Sequence, residues 1–338
     1  MFPKAALIAI TFCFLVACNQ LHSTPEKSPS PHQTNPQSFQ SFYQNLRSEA
    51  QQKGLNVQLL DASFPNGIQP LESVVKASKS QPEFTRTFAS YVGPMLSANR
   101  VRLAQQHFNA HRHQLAKIQA ETGVSASVLV ALWGIETSFG QNTGNIPTIP
   151  ALATLAWQSN RPAYFRAETF AALEVLEKKN FSPTELKGSW AGAMGQCQFM
   201  PSNYLKYGRD GSGDGVADIW RNEDDVFASS AAFLQALGWQ KNQPWRHLLT
   251  NTSTHNILQL NSRGLSQPLT TAQLKTAKIV VPHGAGQGPW RYYHPQAGGP
   301  AYLLGPNFDV LLKWNNSSYF AYAVLALAES IEPAPTNR

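Results

Sequence analysis

A run of residues that is apolar on every side, Val128-Leu129-Val130-Ala131-Leu132-Trp133, leads into a single carboxylate, Glu136. A helix with no polar face to offer water belongs inside a core. The rest of the chain must therefore build a shell around this helix and leave an acid at its end. Ser125 marks its start, and the glycine-bearing loop from Gly140 to Gly144 follows its end. Burial beside apolar side chains disfavours the charged form of a carboxyl. An acid that keeps its proton near neutrality is what general acid catalysis requires. On this pattern alone, a helix-end glutamate turned to solvent is an equal reading.

The elements around it read mainly as helix. Val101, Ala104, Phe108, His111, Leu115 and Ile118 recur at steps of three and four, so one buried helical face is expected from the N-cap Ser97 to the stop at Gly123. His111 then reads as a hydrogen-bonded core residue. Further helices are expected over about Phe165–Lys179, over Asp225–Leu237 before Gly238, and over Ser318–Glu329. Ser182-Pro183-Thr184-Glu185 has the form of a capping box opening a short helix. Between about 241 and 312 Gly, Pro, Thr and Gln rise, and Lys278-Ile279-Val280-Val281 and Ala301-Tyr302-Leu303-Leu304 are β-prone. The fold class expected is mainly α, with a small sheet-containing insertion.

A second chemical segment runs from Gly188 to Pro201, with Ser189, Trp190, Gln198 and Phe199 set among small residues. Ser189 and Gln198 can hydrogen-bond a sugar, and Trp190 and Phe199 can pack on its faces. The small residues admit two readings: room for a polymer to approach the backbone, or a tight helix–helix crossing.

Lys4, an apolar stretch from Ala5 to Ala17, and Leu15-Val16-Ala17-Cys18 resemble a bacterial lipoprotein signal, with Cys18 as the acylated residue. Asn19 after it resembles the outer-membrane sorting of Gram-negative lipoproteins. The polar segment that follows reads as a flexible tether. Of Cys13, Cys18 and Cys197, only Cys197 would stay a free thiol, which excludes an intramolecular disulfide and suits a buried structural cysteine. The formal net charge of +7 suits an acidic partner. No Lys/Arg run or finger motif supports nucleic acid, which leaves a membrane or wall polymer.

The Glu136 and Gly188–Pro201 segments closely resemble the membrane-bound lytic murein transglycosylase B family. So do Ala151-Leu152-Ala153-Thr154-Leu155-Ala156, Gly208 to Trp220, Gly305-Pro306-Asn307-Phe308 and Lys313-Trp314-Asn315, in order over about residues 40 to 332. The resemblance implies a lysozyme-like α+β core with a helical extension. It makes Glu136 the acid/base, places Ser189 and Gln198 at the sugar sites, and turns Arg161 toward the cleft. Phe199, Asn315 and Tyr319 join the substrate-binding candidates. The implied reaction cleaves the N-acetylmuramic acid–N-acetylglucosamine bond of peptidoglycan strands, leaving 1,6-anhydro ends, in cell-wall turnover, with no cofactor for the chemistry. The chain departs from the family at Asn160, where a second arginine is expected, and offers Phe233 and the pair Tyr319-Phe320 where the family often has tyrosines near the cleft.

Asp210, Ser212, Asp214, Gly215 and the Val216 carbonyl resemble the start of an EF-hand calcium loop. Arg221 stands where the usual loop has its closing Glu; the resemblance implies a longer loop that a later acid, Asp224 or Asp225, closes around a structural calcium ion, with a metal-free turn as the other reading. The organisation expected is a leader over 1–17, a lipidated Cys18 and tether over 18–38, a helical region with the catalytic core over 39–240, the β-containing insertion over 241–312, and a helix over 313–332 returning to the core. A monomer anchored at the periplasmic face of the outer membrane is expected. A water-using muramidase and a non-catalytic wall-binding lipoprotein are the competing functions.

Overall fold

The computed structural model describes residues 38–79, 86–179, 181–249, 258–283 and 288–332. The leader, Cys18 and the tether up to residue 37 lie outside the described residues. In chain order come the helices α1 (Phe39–Gln52), α2 (Val57–Ala62), α3 (Glu72–Lys79), α4 (Phe88–Met95), α5 (Ala98–Ala110), α6 (Arg112–Thr122) and α7 (Ala126–Thr137). Strand β1 (Ile146–Pro147) leads into α8 (Thr148–Gln158) and α9 (Pro162–Lys179), and β2 (Lys187–Gly188) into α10 (Pro201–Tyr207) and α11 (Glu223–Ala236). Then follow β3 (Arg246–Leu249), α12 (Thr271–Thr276), β4 (Arg291–Tyr293), β5 (Ala301–Leu304), α13 (Pro306–Trp314) and α14 (Ser318–Ile331).

The chain forms two compact units, and both α7, between Ile135 and Glu136, and α10, between Lys206 and Tyr207, run from one into the other. The first unit holds α1–α3 and residues 136–206. Its centre is α8, buried from Thr148 to Ala156, against α9. Helices α1 and α3 pack on α8, and α2 on α9. The short β1–β2 pair, with Ile146 opposite Gly188, holds the glycine loop beside the second motif.

The second unit holds α4–α6, most of α7, and the chain from Tyr207 onward. Within it α14 packs against α4, α5 and α13, and α6 packs against α11. Its sheet has three antiparallel strands in the order β3-β5-β4, with Leu248 opposite Tyr302 and Tyr292 opposite Leu303. Being central, β5 is buried at all four positions. A satellite core of Leu269, Leu274, Trp290, Tyr292 and Leu303 lies beside it. The fold is mainly helical with small antiparallel sheets, as expected.

Three local expectations are corrected. The helix expected from Ser97 to Gly123 is two helices that meet at His111, whose backbone leaves the helical region (φ −102°, ψ 16°). The capping box at Ser182 opens only a turn. There the Glu185 carboxylate accepts the Ser182 N–H at 2.8 Å, but the Ser182 hydroxyl pairs with Thr184 instead of capping. Lys278–Val281 is not a strand: Lys278 is left-handed (φ 55°), and Ile279 tucks into the satellite core while Val280 stays exposed.

Candidate active site

Every residue of α7 from Ala126 to Thr137 is buried, and Glu136 itself is 2% exposed. Its apolar circumference explains the burial. In the second unit, Trp133 packs edge-on against His107, His111 and Phe227. The last carbonyls of a helix lack partners within it. Arg100, whose pKa burial lowers, donates to one of them, the carbonyl of Gly134. The helix stops because Ser138, Phe139 and Gly140 are all left-handed (φ 52°, 59° and 80°). For the two non-glycine residues this costs about 1–2 kcal/mol each, so the turn needs fixing from outside.

The second motif supplies that fixing in the first unit. The Thr137 hydroxyl donates to the Gln196 carbonyl at 2.9 Å and accepts the Gly140 N–H at 3.0 Å. The Thr137 carbonyl accepts from Asn142 N–H at 2.9 Å. Gln198 is left-handed (φ 51°), and its Nε2 donates to the carbonyls of Thr143 (3.1 Å) and Gly195 (2.9 Å). Residues 188–199 fold as two successive tight turns, bridged at Gly188–Met194 and Met194–Phe199. Their glycines meet protein: a Cβ on Gly188 would lie 2.0 Å from the Ala193 oxygen, and one on Gly192 would lie 2.3 Å from the Leu152 side chain. The small residues at Gly188 and Gly192 thus pack against the protein itself, but in tight turns and not at the helix–helix crossing expected as one reading.

Ser189 is buried, with its hydroxyl accepting the Ala193 N–H at 3.1 Å. Phe199 and Cys197 are buried as well. Arg161 lies just before α9 and stacks its guanidinium on Tyr164 (4.8 Å) and Phe165 (5.2 Å). Glu136, Ser189, Gln198, Phe199 and Arg161 thus all belong to the first unit. Asn315 and Tyr319 belong to the second. Asn315 ends α13, and Tyr319 sits among Phe88, Tyr91 and Arg263, whose guanidinium is 4.6 Å from the ring centre. Phe233 is a core residue, stacked on Tyr207.

The sequence reading missed Glu168. It is buried in α9, and burial raises its pKa although both oxygens accept from Ser202, from the N–H at 3.0 Å and the hydroxyl at 2.6 Å. No pattern within α9 marks it, because its partner is 34 residues away.

In the second unit, ligand atoms of Asp210, Asp214 and Asp225 lie within 4.8 Å of one another. Asp225 is fully buried and accepts the N–H groups of Gly211, Ser212 and Asp218. The Gly215 N–H, with those of Gly213 and Asp214 and the Ser212 hydroxyl, holds the Asp210 carboxyl below the usual range. Asp224 takes no part; it faces His111 at 3.6 Å. Of the two acids considered for closing the loop, Asp225 is the one in the cluster. Val216 is 48% exposed beside it. Three convergent carboxylates make a hard oxygen donor set that fits calcium.

The model of the transglycosylase SLT domain family matches residues 38–329, and the chain belongs to that family. Its relatives define the enzyme more narrowly, as a lytic murein transglycosylase with a lysozyme-like fold. Membrane-bound lytic murein transglycosylase B of Escherichia coli K12 is 29% identical over 300 residues, 85% of this chain and 77% of that protein. The crystal structure of SltB3 from Pseudomonas aeruginosa with NAG-anhNAM-pentapeptide is 36% identical with a TM-score of 0.76, covering 88% of this chain and 80% of that one. The Escherichia coli lytic transglycosylase Slt35 in complex with calcium is 26% identical with a TM-score of 0.73, covering 87% and 92%.

Proposed function

We propose that Glu136 is the single acid/base of this transglycosylase and that its substrate is the glycan strand of peptidoglycan. The observation that carries this is the set of buried acids. Among the described residues these are Glu136, Glu168 and Asp225. Glu168 is committed to Ser202, and Asp225 to backbone N–H groups at the metal loop. A two-carboxylate glycosidase needs a second acid beside the bond; a transglycosylase does not. Glu136 protonates the oxygen between N-acetylmuramic acid and N-acetylglucosamine. The substrate's N-acetyl group stabilises the cationic centre. The Glu136 carboxylate then takes the proton of the muramic C6 hydroxyl as that oxygen attacks C1, giving the 1,6-anhydro end without water. Attack within one sugar has the advantage of proximity.

In this reading Ser189, Gln198, Arg161 and Phe199 line the substrate path within the first unit, and Asn315 and Tyr319 are substrate-binding residues of the second unit. Calcium, held by Asp210, Ser212, Asp214, the Val216 carbonyl and Asp225, braces the second unit and takes no part in the chemistry. Lipid on Cys18 anchors a monomer at the periplasmic face of the outer membrane.

Mass spectrometry of the soluble products of purified peptidoglycan, with the chain from residue 19 and its Glu136→Gln variant, tests the reading. Muropeptides lighter by one water, without a reducible end and absent with the variant, are expected. Reducing ends would mean a water-using muramidase. No products from either protein, with wall binding kept, would mean a binding lipoprotein.

A further inference from the structure

Thr137 is the residue after Glu136 and the last of α7, and the chain reverses into three left-handed residues directly beyond it. It uses its polar groups on three different points. Its hydroxyl proton goes to the Gln196 carbonyl, a lone pair of the same oxygen takes the Gly140 N–H, and its own carbonyl takes the Asn142 N–H. Thr137 is 1% exposed, so water does not compete for these bonds. The Gln196 loop is itself held: the Gln198 Nε2 ties it to the carbonyls of Thr143 and Gly195. All of these residues belong to one compact unit.

We propose that Thr137 is a positioning residue for Glu136: its hydroxyl latches the turn that ends α7 to the Gln196 loop and so fixes where the neighbouring carboxyl stands. The inference rests on the reading of Glu136 as the acid/base. Valine has nearly the same shape but neither donates nor accepts, so Thr137→Val leaves the Gln196 carbonyl and the Gly140 N–H without this partner. The turn then drifts, and the carboxyl with it. Serine keeps the hydroxyl and restores the latch. A misplacement of about 1 Å at a reacting group costs about a hundredfold in rate.

The test is steady-state kinetics on a soluble peptidoglycan tetrasaccharide, well below the melting temperature, with Thr137→Val, Thr137→Ser and Glu136→Gln in the full chain. Thr137→Val is expected to lower kcat by about ten- to a hundredfold with KM within twofold, and Thr137→Ser to recover kcat to within about threefold. If Thr137→Val does not fold, Thr137→Ala gives the same reading. A kcat within twofold of wild type in the hydroxyl-free variant, whatever its melting temperature, overturns the inference. So does a loss that serine does not recover. An inactive Glu136→Gln beside a fully active Thr137→Val would defeat the latch alone; an active Glu136→Gln would defeat the acid/base reading.

Discussion

Gly144 lies so close to Gly188 that a Cβ on the first would sit 2.2 Å from the carbonyl oxygen of the second. Gly144 is also left-handed (φ 88°). Backbone strain and overpacking against a carbonyl that cannot swing away act together, so Gly144→Ala should cost about 2–5 kcal/mol. Gly54 is the control. It is equally left-handed (φ 74°), but nothing lies within 4 Å of its would-be Cβ. Gly54→Ala should cost only the conformational part, about 1–2 kcal/mol. Urea denaturation of the two variants checks this; equal losses would show that the close approach carries no energy.

The same pair shows what the sequence could say and where it stopped. A glycine-bearing loop after Glu136 and a small-residue segment from Gly188 were both visible, as were the cap at Ser97 and the stop at Gly123. These are local signals, carried by neighbours in the chain. The close approach of Gly144 to Gly188 is a long-range fact that neither segment carries by itself. His111 fails in the same way. The apolar period runs through it without a break, but in the structure its ring meets Trp133, Phe227 and Asp224. Tertiary contacts thus coincide with a helix junction that no local propensity marks. Glu168 sat in a helix correctly expected, yet its hydrogen-bond partner Ser202 lies 34 residues away. At the metal loop, spacing alone left Asp224 and Asp225 equal, and only the chain path separates them.

Glu168 gives a pH dependence with a definite sign. Burial raises its pKa from the ordinary 4.5 despite the two bonds from Ser202. The native state therefore holds the proton more tightly than the unfolded chain does. Stability from this group is fully present below the unfolded value and is lost as pH rises through the native one. Glu168→Gln removes the titration and retains an acceptor for Ser202. The stability of wild type relative to this variant should fall as pH rises from 4.5 through the raised native value. Urea unfolding of both proteins at several pH values measures the difference. A difference that is flat with pH, or that grows with pH, would contradict the assignment.

Calcium should separate Asp225 from its neighbour. Asp210, Asp214 and Asp225 converge, whereas Asp224 turns to His111. A cation that binds only the folded chain stabilises it by about 2.7 kcal/mol at a hundredfold excess over Kd. The melting temperature of wild type should therefore rise on adding calcium and fall back with a chelator. Asp225 also holds three backbone N–H groups, so Asp225→Asn lowers stability even without metal, and the informative quantity is the response to calcium. That response should vanish in Asp225→Asn and in Asp214→Asn, where the replaced side chain is exposed, and persist in Asp224→Asn. Thermal melts of the four proteins with and without calcium decide it. A response lost in Asp224→Asn and kept in Asp225→Asn would move the closing ligand one residue back, and a response absent from wild type would remove the ion from the fold.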